Sequence, residues 1–327
     1  MNYEMIDCID AGTSFCPCHL AETNECILCS QLQGQKFCDC KNWKGTCIFQ
    51  ELIWNNEQSK AERETYRGLI IRKREIEKGL IELVIQVDHE LCKQLCSPGS
   101  YVFLRAPMTT DYFDTPISIL ESNIRDNTLS IIVEIEGIKT KKIDEKSEGD
   151  YLLIKGPFWN GVLGLKNIER CKDKNVLIVS RGIGMAPMIP VIRKLYMQGN
   201  RISVVLDKGR YNTNFIQELL DRYSCKVLGI ETLYKGELTP EFSTRLEEFI
   251  EKETVEHIHI SGPDILILES LKKINERVKT SCCNNAKMCC GQGVCGACTT
   301  RFEGHIVKRL CKLQTDPEYI FEGRRLI

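Results

Sequence analysis

The 327-residue sequence is 43% apolar and 27% charged, an ordinary globular composition with enough chain for two or three separately cored domains. Its formal charge of −1, with no polybasic run, excludes a general polyanion-binding surface, so neither nucleic acid nor an anionic membrane is expected as a partner. No apolar run reaches membrane-spanning length and the start MNYEMIDCIDAG lacks a signal-peptide pattern; a cytoplasmic location is the expectation, which makes the 19 cysteines candidate metal or cluster ligands rather than disulfides.

Cysteine density divides the chain, with 8 cysteines in residues 1–58, 4 in 61–280 and 7 in 282–311. The first segment, residues 1–60, contains CPCHLAETNECILCSQLQGQKFCDCKNWKGTC. Cys16 and Cys18, Cys26 and Cys29, and Cys38 and Cys40 form doublets, followed by Cys47, with Cys8 ahead. Pro17 bars a helix between the first pair, so both sulfurs can face one centre. These ligands suffice for one metal centre with spares, or for two; a [4Fe–4S] cluster and a zinc site each need four thiolates.

Residues 61–165 carry six short runs: GLIIRKREI, GLIELVIQV, SYVFLRAP, TPISILES, TLSIIVEIEG and DYLLIKGP. Close punctuation by Gly, Asn and Pro predicts a small antiparallel β-barrel. In residues 166–278 strands alternate with helices. KNVLIVS passes through the turn RGIGMAP into a helix whose Met188, Ile189, Ile192, Leu195 and Tyr196 share a face, with Gly199 as its stop. RISVVLDKG, CKVLGIET and HIHISGP read as further strands between helical stretches. The prediction is a multi-domain chain, a barrel followed by an α/β doubly wound parallel sheet, with cysteine-rich segments at both ends.

In the glycine turn, Gly182, Ile183 and Gly184 are placed to meet a dinucleotide pyrophosphate at a helix start, with Pro187 in the first turn. Asp207 ends the second strand, where a carboxylate accepts hydrogen bonds from an unphosphorylated ribose and favours NAD(H). Lys208 and Arg210 would instead suit the extra phosphate of NADP(H). In the tail, residues 279–327, Cys290, Cys295, Cys298 and Cys311 give C-x4-C-x2-C-x12-C, whose first three positions have the loop spacing of a plant-type [2Fe–2S] cluster. Gly291, Gly293 and Gly296 let the backbone wrap the sulfurs closely. Cys282 and Cys283 have no assigned partner and read as buried bystanders.

This tail, following a barrel and a GIGMAP sheet, resembles the electron-transfer subunit of type B dihydroorotate dehydrogenase, within the ferredoxin–NAD(P) reductase superfamily. Small subunits of sulfide dehydrogenase and of NADH-dependent ferredoxin:NADP oxidoreductase are similar. The resemblance covers residues 64–327 and leaves the N-terminal extension outside it. It implies that the barrel binds FAD and the sheet domain brings NAD(P)H against it. The flavin motif falls on TPIS, Thr115, Pro116, Ile117 and Ser118, but its usual arginine is missing and Asp114 beside it has the wrong sign. Arg105 in FLRAP is the candidate replacement. IEGIKT offers Gly137, Lys139 and Thr140 to phosphate. SGP places Gly262 and Pro263 near the nicotinamide, with Ser261 where the family has cysteine; Arg181 has no assigned role.

The function this implies is an iron–sulfur flavoprotein oxidoreductase moving electrons between NAD(P)H, FAD and a [2Fe–2S] cluster, to or from a redox partner protein or catalytic subunit in a hetero-oligomer. No catalytic side chain is required, because the cofactors carry the chemistry. A redox conduit favours a [4Fe–4S] cluster over zinc as the second, N-terminal centre. The alternative is a degenerate reductase acting as a zinc-binding interaction module or a redox or iron sensor.

Overall fold

The computed structural model describes residues 6–40, 43–302 and 306–320; the extremities of the first and last predicted segments lie outside them. The chain divides into two units, residues 1–64 together with 286–325, and residues 65–285. The two cysteine-rich segments, read from the sequence as separate ends, therefore share one unit. Its N-terminal part carries β1 (Asp7–Cys8), α1 (His19–Glu22) and α2 (Ile48–Trp54).

The second unit begins with the barrel. Its strands are β2 (Thr65–Glu77), β3 (Leu80–Gln86), β4 (Tyr101–Arg105), β5 (Thr115–Asn123), β6 (Thr128–Glu134) and β7 (Tyr151–Phe158). They close in the order β2-β3-β6-β5-β4-β7, with every neighbour antiparallel. Every predicted run became a strand because each is rich in branched side chains that alternate into one interior. Ile70, Leu83, Ile85, Leu104, Ile131 and Ile154 fill that interior. Two short helices, α3 (His89–Gln94) and α4 (Ile138–Asp144), lie in the connections.

After the barrel come β8 (Val162–Leu163), α5 (Leu165–Arg170), β9 (Asn175–Arg181), α6 (Met188–Met197), β10 (Arg201–Asp207), α7 (Gln217–Arg222) and β11 (Lys226–Gly229). The hairpin β12 (Leu233–Tyr234) and β13 (Glu237–Leu238) precedes α8 (Pro240–Glu251), β14 (His257–Ser261), α9 (Asp264–Leu271) and β15 (Lys279–Cys283). The sheet order is β11-β10-β9-β14-β15-β8, parallel throughout except for β8 at the edge. Helix α6 buries Met188, Ile189, Val191, Ile192 and Leu195 in a core that also takes Leu120 and Ile132 from the barrel. Tyr196, expected on the same face, is instead 43% exposed. Polar contacts add to this seam: Glu134 receives Arg210 and Tyr211, and Glu77 accepts the backbone N–H groups of Asn212 at 3.1 Å and Thr213 at 3.2 Å.

Two histidines sit deep in the sheet. His257 and His259 on β14 each approach the Ser281 hydroxyl of β15, His257 Nε2 and His259 Nδ1 both at 2.9 Å. Burial pushes His257 down to about 4; burial and then the neighbouring His257 push His259 down to about 3. Both stay neutral in the folded chain and gain protons on unfolding, so their contribution falls as pH drops below the unfolded value. The stability of this unit should decline by about 1.4 kcal/mol per pH unit per histidine below about pH 6.5, levelling as the folded groups titrate. Urea denaturation across pH 7 to 4 measures the slope, and His259→Asn should reduce it.

The chain then returns to the first unit with β16 (Thr299–Arg301), β17 (Val307–Arg309) and β18 (Leu313–Gln314). β1 pairs antiparallel with β18, Cys8 opposite Leu313, so the two ends of the sequence form one small sheet. Beneath it lies an ion cluster with side chains 0–1% exposed. The Asp10 carboxylate accepts from Arg63 Nη2 at 2.6 Å and from Lys312 Nζ. Burial raises the Asp10 pKa, but the two cations outweigh it and hold the carboxyl below its ordinary range. Asp10→Ala leaves two buried cations without their counter-charge. A loss of about 3–5 kcal/mol is expected, read as a lowered urea midpoint for this unit while the barrel and sheet unfold as before.

Candidate functional site

The glycine turn stands where the sequence placed it, between β9 and α6. Gly182 has φ +60°, a conformation that L side chains resist. Gly184 is constrained differently: a Cβ there would lie 2.3 Å from the Ser261 carbonyl oxygen. The Ser261 hydroxyl donates to the Gly184 carbonyl at 2.7 Å, so a side chain of the SGP segment fastens it to the backbone of the turn. Ile183 projects from the turn, 39% exposed. The Ser180 hydroxyl just before it is buried without a hydrogen-bond partner among the described residues. A strand end, a glycine turn, a helix start and an orphaned hydroxyl together suit a dinucleotide.

The residues around this turn differ from expectation in three ways. Asp207 does not offer a free carboxylate. Its oxygens accept from the Gly209 N–H at 2.8 Å, the Thr232 N–H at 2.6 Å and the Thr232 hydroxyl at 2.7 Å, and it pairs with Arg181. Burial raises its pKa, and these hydrogen bonds with the Arg181 charge more than reverse that, keeping it ionised. Arg181, unassigned from the sequence, is thus the partner of Asp207. Lys208 and Arg210 are also engaged, Lys208 Nζ with the Asn212 carbonyl at 2.8 Å and Arg210 with Glu134 and Glu136.

Cys283 is more than a bystander. Its sulfur accepts the Gly262 N–H at 3.3 Å and lies 3.3 Å from the Gly262 carbonyl, which also accepts from Asn285 Nδ2 at 2.8 Å. Burial pushes the thiol up to about 11, so it is protonated at neutral pH. Where the sequence lacks a cysteine at 261, the next strand brings one to the same turn. No spacing rule pointed to it, because β14 and β15 meet only in the folded sheet. Pro263 follows at the start of α9.

On the barrel, Thr115, Pro116, Ile117 and Ser118 open β5 and pair with β4. Asp114, whose sign was wrong for phosphate, is neutralised. Arg105 binds it at 2.7 Å and also holds Asp111 at 2.8 Å, while Lys139 Nζ donates to the Asp114 carbonyl at 2.9 Å. Arg105 Nε is buried without a hydrogen-bond partner among the described residues, and the Lys139 side chain lies at the surface. The two cations bracket the segment where the flavin motif falls, and this donor set fits a pyrophosphate. Thr140 shapes its own turn: its hydroxyl oxygen accepts the N–H groups of Glu136 at 3.1 Å and Gly137 at 3.3 Å.

In the tail, the loop between Cys290 and Cys298 aims amides at sulfur. Cys290 Sγ accepts from the Gln292 N–H at 3.3 Å and the Cys295 N–H at 3.5 Å; Cys298 Sγ accepts from the Cys311 N–H at 3.4 Å. The Cys311 thiol donates to Cys298, which outweighs burial and lowers Cys298 to about 6, while Cys311 is driven up. Gly293, at φ +85°, lets the loop approach the N-terminal segment; a Cβ there would lie 3.0 Å from Leu20 Cγ. Four thiols, two of them with amides turned toward the sulfur, are a donor set suited to an iron–sulfur cluster. Among the N-terminal cysteines, Cys38 and Cys40 are exposed with sulfurs 3.5 Å apart, whereas Cys26 is buried and accepts the Cys29 N–H at 3.4 Å. Among the described residues, no group of three or more Cys, His, Asp or Glu is arranged to hold a metal ion.

No family model matches the chain. The dihydroorotate dehydrogenase B (NAD(+)) electron transfer subunit of Bacillus mycoides is 26% identical over 253 residues, 74% of this chain and 92% of that protein. The subunit of the same name from Streptococcus mutans is 26% identical over 237 residues, covering 72% and 88%. The chain is a homologue of these electron-transfer subunits. Among solved structures, NADH-dependent reduced ferredoxin-NADP oxidoreductase superposes with a TM-score of 0.59 at 22% identity, over 75% of this chain and 85% of that one. The barrel followed by a parallel sheet is the fold that this chain shares with that structure. None of the chain's described helices is long and apolar enough to cross a membrane.

The contact at Gly184 gives a direct test. Gly184→Ala must push Ser261 aside and is expected to cost about 1–3 kcal/mol, measured by urea denaturation. It should also weaken pyridine-nucleotide binding at least about tenfold, read by titration.

Proposed function

We propose that the chain is the reductase subunit of an iron–sulfur flavoprotein oxidoreductase, passing electrons between NAD(H), FAD, a [2Fe–2S] cluster and a partner protein. The observation that supports this reading is the tail, where the spacing of Cys290, Cys295, Cys298 and Cys311 comes with backbone N–H groups directed at the Cys290 and Cys298 sulfurs. The names of the relatives, electron transfer subunits, support a catalytic partner subunit and hence a hetero-oligomer.

Each side-chain group has a positional task. Gly182 and Gly184 let the backbone come close to a dinucleotide pyrophosphate at the start of α6, and Ser261 holds the turn in place. Cys283 and Asn285 fix the peptide of Gly262, the segment that would face a nicotinamide. Arg105, through its buried Nε–H without a partner among the described residues, and Lys139, whose Nζ meets the Asp114 carbonyl, offer donors to phosphate in place of the missing motif arginine. The Cys290 and Cys298 sulfurs, as thiolates, are stabilised by the amides pointing at them. When bound, the flavin and cluster convert a two-electron hydride input into single-electron output. NAD(H) is favoured over NADP(H) because Arg210, a cation that would meet an extra phosphate, is paired with the carboxylates of Glu134 and Glu136.

An anaerobic absorption spectrum tests the reading. Protein prepared with iron, sulfide and FAD available should show a flavin band near ~450 nm on a broad iron–sulfur background, bleached by NADH. Cys298→Ser should remove the iron–sulfur background and leave the flavin band. A colourless protein holding only zinc would overturn the proposal in favour of an interaction module.

A further inference from the structure

Arg181 is the charged residue of the SRGIGMAP stretch, and the proposed function gives it no task. It ends β9, the middle of three adjacent strands, β10, β9 and β14. The chain leaves β9 for β10 on one side, while β14 lies on the other. At such a point the carboxyl ends of a doubly wound sheet open a crevice for a ligand. The stem of Arg181 runs between glycines of the two neighbouring turns. A Cβ on Gly262, after β14, would lie 3.3 Å from Arg181 Cβ. One on Gly209, after β10, would lie 3.7 Å from Arg181 Cγ and 3.3 Å from Gly182 Cα.

The guanidinium is held but not used up. Its Nη1 pairs with Asp207, the residue opposite it in the β9–β10 register, and the side chain stays 24% exposed. Asp207 also accepts from the Gly209 N–H and from the N–H and hydroxyl of Thr232, so its charge is shared among several donors. Arg181 Nε and Nη2 have no hydrogen-bond partner among the described residues. These two nitrogens form one edge of the planar group, whose parallel N–H bonds match two oxygens of a phosphate. In Arg210 the same edge is taken, Nε by Glu134 and Nη2 by Glu134 and Glu136.

The geometry points to Arg181 as a binding residue for the pyrophosphate of the pyridine nucleotide. Its free edge meets the phosphate oxygens beside the Gly182–Gly184 turn, while Asp207 fixes the opposite nitrogen. Because the side chain is already held, little freedom is lost on binding. The assignment rests on the proposed reading of this turn as a nucleotide site. A 2′-phosphate fits less well, since beyond β10 it would face the Asp207 carboxylate and the two glutamates around Arg210.

Calorimetric titration of the full chain with ADP-ribose and with 2′-phospho-ADP-ribose, neither able to exchange a hydride, tests the assignment. Arg181→Ala should weaken ADP-ribose binding about 10- to 100-fold, and Arg181→Lys should lose less. Arg181→Gln keeps much of the stem and a donor for Asp207 without the charge, so it decides the matter even if Arg181→Ala unfolds. It should show the same loss as Arg181→Ala with an unchanged urea midpoint. Added salt should weaken wild-type binding more steeply than that of Arg181→Gln; parallel salt curves would leave Arg181 a merely structural part and overturn the assignment. Equal affinity in wild type and Arg181→Gln would overturn it too, with the nucleotide reading intact. So would a larger loss for the 2′-phosphorylated ligand than for ADP-ribose, which would move the contact to the ribose phosphate. If wild type binds neither ligand, the nucleotide site itself is overturned and the role of Arg181 with it.

Discussion

A carboxylate held between a lysine and an arginine, with all three side chains out of water, is the constraint on which the cysteine-rich unit depends. Asp10 comes from the N-terminal segment, Arg63 from the end of that segment before the barrel, and Lys312 from the tail. None of the three is tolerable in the interior alone, so the interaction forms only when all three stretches are in place. The same network reaches the cysteine loop of the tail: Gln292 Oε1 accepts from Arg63 Nη1 at 3.1 Å and from Lys312 Nζ at 3.4 Å, while the Gln292 backbone N–H donates to Cys290 Sγ. The guanidinium of Arg63 also lies 4.2 Å over the ring of Phe15. Buried ions thus position the loops that carry the thiols, in a unit whose apolar core, around Ala21, Leu32 and Leu52, is small.

The barrel and sheet follow a different logic. Their cores are large and apolar, and the polar residues at the candidate sites are arranged mostly by backbone approach. Gly184 touches the carbonyl of Ser261, and Cys283 grips the peptide of Gly262 from the next strand. Charges that looked available for ligands satisfy one another: Asp207 with Arg181, Asp114 with Arg105, Arg210 with Glu134 and Glu136. This pairing rigidifies the loops around a nucleotide, since each ionic group that is buried must find a partner. It also means that a phosphate arriving at the barrel would meet Arg105 and Lys139 already held in place.

Local signals in the sequence were strong where local physics dominates. All six barrel runs became strands, because alternation of branched side chains is a property of neighbouring residues, here five to thirteen in a row. The strand–turn–helix at Gly182 and Gly184 was equally legible, since its glycines and Pro187 act within one turn of chain. The strand Lys279–Cys283 was missed: KTSCC has little periodicity, and its burial is imposed by β14 beside it. Asp207 stands at a strand end as expected, but the hydrogen bonds it accepts from Thr232 could not be read, because Thr232 lies on a different loop.

By itself the sequence determined the order of barrel and parallel sheet, the position of the glycine turn, and the spacing of the four tail cysteines. Those features depend on side-chain periodicity and on residues close in the chain. Only the tertiary structure decided that the two cysteine-rich ends are one unit, that Cys8 pairs opposite Leu313 of the tail, and that Cys283 stands beside Gly262. The physical reason is that ion pairing and strand pairing join residues as far apart as Asp10 and Lys312, 302 positions along the chain. Partners chosen by burial and charge across such distances leave no spacing in the sequence from which they could be read.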